Sequence, residues 1–177
     1  DDHADAGWGC IYDLDYLSAN VLGGEGYEWY YDGPEGRSHQ LRRPIADLAY
    51  GEDWIYRYKD LKGWWSNAHH SRIGGVRSAE PTGWVPGSKP IRFTEYGCPA
   101  VDKGTNEPNR FVDPKSSESA LPRFSNGQRD DYLQMQYFRA MDRVWNDPVS
   151  NPPSGSYGGR MVDMDHCYAW AWDARPF

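Results

Sequence analysis

The sequence predicts an α/β fold with parallel strands, and three stretches support this prediction. Residues 91–95 have the composition of a strand, residues 129–145 that of a long helix, and residues 166–173 alternate like a second strand. A strand, a helix and a strand in this order form a βαβ unit, whose strands are parallel neighbours with a right-handed crossover. Glu95 and the pair Trp172–Asp173 are then expected at the same carboxyl edge.

The first predicted strand ends on a carboxylate. Ile91 and Phe93 are strand-forming residues, and Gly97 and Pro99 end the regular backbone just beyond Glu95. Strand-end carboxylates are where α/β barrels carry out their chemistry. The commoner alternative is a strand that finishes on a surface glutamate. Glu95 is therefore the first candidate catalytic residue.

The predicted helix and the closing strand each show a clear period. Over residues 129–145, one helical face carries the apolar side chains of Leu133, Tyr137, Met141 and Val144. In the closing stretch, large aromatics alternate with alanines, so one face is bulky and the other is small. The bulky face, formed by Tyr168, Trp170 and Trp172, is expected to fill an interior or to line a cleft.

Five further segments complete the predicted order. Residues 12–22 and 35–43 are expected to be short helices, and residues 27–31 a strand in preference to an aromatic loop. Apolar spacing predicts a helix over residues 53–65 with its first residue, an aspartate, as the N-cap. The polar residues 100–127 form a long connection, which in a compact domain is usually a functional loop or a covering arm.

Composition narrows the classes of partner. The 177 residues include nine Trp and thirteen Tyr but only five Phe, and aromatics with a polar group suit partly wet surfaces such as sugar-binding clefts. A Trp-rich core is the alternative for about half of the Trp residues. The net charge of −7 without a Lys/Arg cluster argues against binding to nucleic acid or to anionic membranes. No apolar run reaches the length of a membrane span.

Metal, cofactor and nucleotide motifs are not found. The three Cys residues are widely spaced, so they predict neither a disulfide framework nor a zinc cluster. The neighbours His69 and His70 lack ligand spacing and are expected to be solvated on a loop. With no nucleophile elbow, phosphate-binding loop or dinucleotide fingerprint, we expect no metal and no cofactor.

A strand-end glutamate beside strand-end tryptophans suits glycoside chemistry. Hydrolysis needs two carboxyl groups, about 5–5.5 Å apart for retention and about 6.5–9.5 Å apart for inversion. Candidates for the second acid are Glu25, Glu28 and Glu107, each of which is also explained as a solvated carboxylate. Beside Glu95 as the catalytic residue, the predicted sugar-contacting residues are Tyr27, Trp29, Tyr96, Trp170, Trp172 and Asp173.

Four runs of sequence resemble one known family. Residues 56–67 (YRYKDLKGWWSN), 89–103 (KPIRFTEYGCPAVDK), 113–119 (DPKSSES) and 170–177 (WAWDARPF) are similar to the barrel-like domain of gene transfer agent host-specificity proteins. Those large proteins resemble phage tail-tip or baseplate hub components. The resemblance spans nearly the whole chain. It implies a place at the tail tip of a virion-like particle that is made in the bacterial cytoplasm.

The resemblance also implies a fold. It is a (β/α)8 TIM-barrel-like domain similar to retaining glycosidases, in which a strand-seven glutamate, matched by Glu95, is the nucleophile. The strand-eight aromatic would correspond to Trp170 or Trp172. The proton donor belongs on strand four, and this chain is expected to begin after it. Residues 1–177 would then be the C-terminal half of one domain, a fragment of a larger protein.

Two functions follow from the resemblance. The first is host recognition or attachment, with a domain that binds cell-envelope polysaccharide or peptidoglycan and contacts other tail proteins or a second copy. The alternative is an active retaining glycoside hydrolase that degrades capsule or peptidoglycan for DNA entry. A purely structural role would be favoured if Trp170 and Trp172 were fully buried.

Overall fold

The computed structural model describes residues 2–170, apart from the side chain of Asp2. Within this range the chain forms two compact units. The first unit comprises residues 2–21, 92–146 and 164–170, and the second comprises residues 22–91 and 147–163. The α-helices are α1 (Asp2–Asp5), α2 (Leu14–Leu22), α3 (Gly33–Ser38), α4 (Leu61–Ser66) and α5 (Asp131–Asn146). The strands are β1 (Trp29–Tyr31), β2 (Arg42–Pro44), β3 (His70–Ile73) and β4 (Val76–Pro81).

The predicted half of a (β/α)8 barrel is wrong. Over residues 2–170 the strands form two antiparallel sheets of two strands each, β1–β2 and β3–β4, and no parallel sheet. Among the described residues, parallel pairing is confined to single-residue bridges, so this part of the chain has no run of neighbouring parallel strands from which a barrel wall could be built. No helix in this range has both the length and the apolar character needed to cross a membrane.

The core of the first unit is built on one face of α5. The helix runs over Asp131–Asn146, which confirms the helix expected at residues 129–145. Leu133 and Ala140 on that face are almost completely buried and pack with Ile11, Tyr16 and Leu17. Full burial of one such Leu side chain contributes about 1.5–3 kcal/mol. The short helix expected at residues 12–22 is likewise confirmed, as α2.

The strand predicted at residues 91–95 is wrong. Ile91 forms a parallel bridge with Val162 in the second unit, and Tyr96 forms one with Ala169 in the first unit. The parallel direction is as predicted. The later segment, however, has two more residues between its bridges, because Met164–His166 form a turn of 3-10 helix. That insertion interrupts the ladder. Of the predicted strand 166–173, residues 171–173 lie outside the described residues.

The second unit contains both sheets. In β1–β2, Trp29 lies opposite Pro44 and Tyr31 opposite Arg42, so the predicted strand at residues 27–31 is confirmed for its second half. The β3–β4 hairpin turns at Gly74–Gly75, whose φ values of 61° and 81° belong to the left-handed region that glycine tolerates. The helix expected at residues 35–43 is shorter, because Gln40 has a φ of 54° and reverses the chain into β2.

The helix predicted over residues 53–65 is wrong. Asp53–Ile55 form one turn of 3-10 helix, and α4 begins only at Leu61. The N-cap of α4 is Asp60, whose carboxylate accepts a hydrogen bond of 2.8 Å from the Gly63 amide. The Asp53 carboxylate instead accepts the Asp47 amide N–H. Two aspartates therefore compete for the capping role, and the later one begins the helix.

An ion-pair network ties residue 52 to the β3–β4 hairpin. Arg77 donates two hydrogen bonds of 2.9 and 2.8 Å to the Glu52 carboxylate, and Arg72 donates another. The side chains of all three residues are less than one-fifth exposed. The hydrogen bonds from Arg77, and with them the one from Arg72, outweigh the opposing effect of burial and lower the pKa of Glu52 to about 2.

We predict that Glu52→Gln destabilises the chain by about 1–2 kcal/mol, between the values for exposed and for buried ion pairs. Because the folded pKa is depressed, the contribution of Glu52 is complete above its ordinary pKa and declines as the pH falls from about 4.5 towards 2. Urea unfolding at pH 7 and at pH 3 measures both effects. The matched control is Glu118→Gln, an exposed residue. Equal stability of the two variants at pH 7 would contradict the prediction.

Candidate functional site

Backbone pairing brings three of the predicted site residues together in the first unit. The Tyr96 amide donates to the Tyr168 carbonyl at 3.0 Å, and the Trp170 amide donates to the Tyr96 carbonyl at 2.8 Å. Glu95 precedes Tyr96 and is exposed. It lies on a bend and not, as predicted, at the end of a regular strand. These two hydrogen bonds place the segment that contains Glu95 next to residues 168–170.

The residues at this pairing differ in environment. The Tyr96 ring is half-buried and packs against Phe93 and Phe138, with ring centroids 6.0 and 5.6 Å away. Glu95 is exposed beside Tyr96 in the chain, and Tyr168 and Trp170 flank the bridge that Tyr96 forms with Ala169. Tyr168 is 58% exposed and Trp170 is 38% exposed. We call the surface formed by Glu95, Tyr168 and Trp170 the Glu95 face.

Within residues 2–170, one aromatic ring packs against Trp170. The Phe111 ring lies 5.1 Å from it between centroids, with the planes inclined by 53°. Trp170 is 38% exposed. Full burial would have favoured a purely structural role, and this residue is not fully buried. Trp172 and Asp173, also predicted to contact sugar, lie outside the described residues.

Tyr27 and Trp29 belong to the second unit, where each ring has an arginine above it. The Arg42 guanidinium lies 4.4 Å from the Trp29 ring centroid, and the Arg57 guanidinium lies 5.7 Å from that of Tyr27. Burial, and then the charge of Asp60, raise the pKa of Tyr27. Both aromatic rings are half-buried.

Two of the candidate second acids are ion-paired. Glu25 accepts two hydrogen bonds from the Arg37 guanidinium, one of them 2.6 Å long. Glu107 lies 3.4 Å from Arg110. An acid/base residue must present its carboxyl oxygens to the substrate, whereas these two carboxylates are engaged by guanidinium groups. Glu28, the third candidate, is exposed.

Buried groups near the pairing are protonated at neutral pH. Burial, and then the charge of Asp130, raise the pKa of the Cys98 thiol to about 12. Burial also raises the pKa of Tyr96, with further contributions from Cys167 and Asp142. Neither group is therefore an activated nucleophile. Across residues 2–170, no group of three or more His, Cys, Asp or Glu side chains is placed to hold a metal ion.

A family model described as the GTA TIM-barrel-like domain matches residues 1–177. The chain belongs to this family. The resemblance to gene transfer agent proteins is thus confirmed at the level of the family, and membership associates the chain with these particles. No curated protein matches the chain. The family description names a barrel, whereas the described residues of this GTA domain form small antiparallel sheets.

Two residues of the Glu95 region were missing from the predicted site of this GTA domain. Tyr168 could have been included, because it shares the alternating face of Trp170. Phe111 could not, because its contact with Trp170 spans the polar loop and the whole of α5. Local sequence patterns do not predict contacts between residues so far apart in the sequence.

His69 and His70, predicted to be solvated on a loop, are half-buried in this GTA domain. The His69 ring lies between 4.8 and 5.3 Å from three indoles, those of Trp54, Trp64 and Trp84. Its Nε2 lies 2.8 Å from the Trp64 carbonyl oxygen. Trp64 itself is 44% exposed, so the second unit also carries an accessible indole. His70 belongs to β3, and its Nδ1 lies 3.0 Å from the Ser78 carbonyl oxygen.

Because Tyr96 is half-buried and Glu95 is exposed, we expect substitutions of the two residues to change the free energy of unfolding by different amounts. Tyr96→Ala should lower the free energy of unfolding by about 1–3 kcal/mol, below the roughly 3–5 kcal/mol of a fully buried aromatic. Glu95→Gln should change it by less than about 0.5 kcal/mol, because the side chain is exposed. Urea titration of the two variants measures both quantities. A large loss of unfolding free energy in Glu95→Gln would show that the carboxylate has a structural role, which would contradict its description as an exposed side chain.

Proposed function

We propose that this GTA domain acts at the tail tip in host recognition or attachment, by contacting a cell-envelope glycan through the Glu95 face. One observation carries the proposal. Backbone hydrogen bonds of 3.0 and 2.8 Å pair Tyr96, the residue after the exposed Glu95, with Tyr168 and Trp170, whose side chains are 58% and 38% exposed. Preorganised rings with a polar neighbour lose little entropy when a ligand binds.

The chemistry of the face suits a sugar. An indole or phenol ring presents an apolar surface to the C–H groups of a pyranose, and a carboxylate accepts hydrogen bonds from its hydroxyl groups. The net charge of −7 disfavours strongly anionic polysaccharides, since like charges repel. N-acetylated hexosamine chains, the backbone chemistry of peptidoglycan, fit better, because their amide N–H groups can donate to Glu95.

Binding receives more support than hydrolysis. A retaining mechanism needs a protonated second carboxyl about 5–5.5 Å from Glu95. Glu107, in the same unit, is engaged by Arg110, and the predicted barrel that motivated the glycosidase comparison is wrong. Glu95 thus has support as a ligand-contacting group and none as a nucleophile. Hydrolysis of the glycan is the alternative, and a reducing-sugar assay measures it.

Exposed aliphatic side chains support contacts with further protein. In the second unit Leu48 is 98% exposed, and Ile73 and Val76 at the tip of the β3–β4 hairpin are 85% and 73% exposed. Adjoining exposed aliphatic side chains are typical of protein–protein contacts, and Ile73 and Val76 are paired neighbours in the hairpin. We include other tail proteins, or a second copy of the chain, among the proposed partners.

We expect Trp170→Ala to weaken binding of soluble peptidoglycan fragments about tenfold, which corresponds to about 1.4 kcal/mol. Glu95→Gln should weaken it less, because the amide still accepts hydrogen bonds. Isothermal titration calorimetry measures affinity, and a reducing-sugar assay on the same samples measures hydrolysis.

The matched control is Trp64→Ala, which removes an equally accessible indole from the second unit. Loss of binding in Trp64→Ala with none in Trp170→Ala would contradict the proposed site. Hydrolysis by the wild type that Glu95→Gln abolishes would replace the binding function with the hydrolase.

A further inference from the structure

The polar loop after Cys98 closes on itself. We call residues 100–130 the arm. At its base the Asp102 amide donates to the Gln128 carbonyl at 2.7 Å, and the Asp130 amide donates to the Ala100 carbonyl at 2.9 Å. Val101 and Arg129 form an antiparallel bridge between these two bonds. Both ends of the arm are therefore fixed at one place, as in an Ω-loop.

Hydrogen bonds inside the arm fix its shape as well. The Asn106 side-chain amide donates to the Arg123 carbonyl at 3.0 Å, and the Ala120 amide donates to the Phe111 carbonyl at 3.3 Å. Gly104 lies so close to the Pro99 carbonyl oxygen that an added Cβ would be 2.2 Å from it. Phe111 is thus carried by a segment with internal order.

The arm brings Phe111 to the Glu95 face. Its ring and that of Trp170 are inclined by 53°, so together they form a bent apolar surface. Phe111 is half-buried and keeps some accessible surface. A flat platform would contact one sugar ring, whereas two inclined rings can contact two neighbouring sugars of one chain.

We propose that the arm determines specificity for glycan length, with Phe111 contacting a second sugar beside the one on Trp170. This inference rests on the proposed glycan binding. The ligand class is an oligosaccharide of N-acetylated hexosamines with at least two rings. A monosaccharide contacts Trp170 and Glu95 alone, so its affinity does not depend on Phe111.

The test compares N-acetylglucosamine with chitotetraose, its linear tetramer. Phe111→Ala should weaken chitotetraose binding about fivefold, as expected for the loss of one ring contact, and change N-acetylglucosamine binding less than about twofold. Phe111→Leu keeps the apolar volume without the flat ring and should show the same selective loss, which separates binding from folding. The matched control is Phe124→Ala, a 52% exposed residue of the same arm, which should bind both sugars like the wild type. Dissociation constants from NMR titration provide the comparison.

Three other results would overturn the inference. If Trp170→Ala weakens chitotetraose binding and Phe111→Ala and Phe111→Leu do not, the arm has no role in binding, although the proposed function stands. If both Phe111 variants weaken monosaccharide and tetramer binding equally, Phe111 only supports Trp170. If the wild type binds neither sugar, the proposed glycan binding fails together with the inference.

Discussion

The rest of the first unit depends on the packing of other segments against the buried face of α5. Leu133 and Ala140 hold the N-terminal region, and Gln136 donates a hydrogen bond of 2.8 Å to the Tyr12 carbonyl. On the other side Gln134 donates to the Cys98 carbonyl at 2.7 Å, and Trp145 packs 5.7 Å from the Phe93 ring. One amphipathic helix therefore fixes both the N-terminal region and the segment that carries Glu95. The helix also begins at the base of the arm, where Asp130 accepts the Leu133 amide at 2.9 Å.

The Glu95 face follows from this arrangement. Tyr96 packs onto Phe93 and Phe138, whereas its neighbour Glu95 is exposed. The amide and the carbonyl of Tyr96 both pair with residues 168–170, which brings the backbone of Tyr168 and Trp170 to the residue after Glu95. The backbone of this surface is held by hydrogen bonds, and its side chains are exposed. Binding needs that combination, whereas glycoside hydrolysis would also need a second carboxyl group held in its protonated form.

Features that depend on local periodicity were predicted from the sequence. Features that depend on competition between two capping residues, or on contacts between residues far apart in the chain, were missed. The apolar spacing of α5 located that helix to within two residues, and the parallel direction of the Tyr96 pairing was also predicted. The helix expected at residues 53–65 failed because Asp60 is the better cap. The strand at residues 91–95 failed because the turn Met164–His166 interrupts its partner, and composition alone does not locate such an insertion. Phe111 was missed because its contact with Trp170 depends on the folded arm.

Hydroxyl-radical footprinting can show whether the Glu95 face contacts glycan. The intact chain is labelled with and without chitotetraose, and the oxidation of each aromatic residue is measured by mass spectrometry. Trp64, which is 44% exposed in the second unit, provides the internal reference. We expect the sugar to protect Tyr168 and Trp170 from oxidation and to leave the oxidation of Trp64 unchanged. Protection of Trp64 with no change at Trp170 would contradict this expectation.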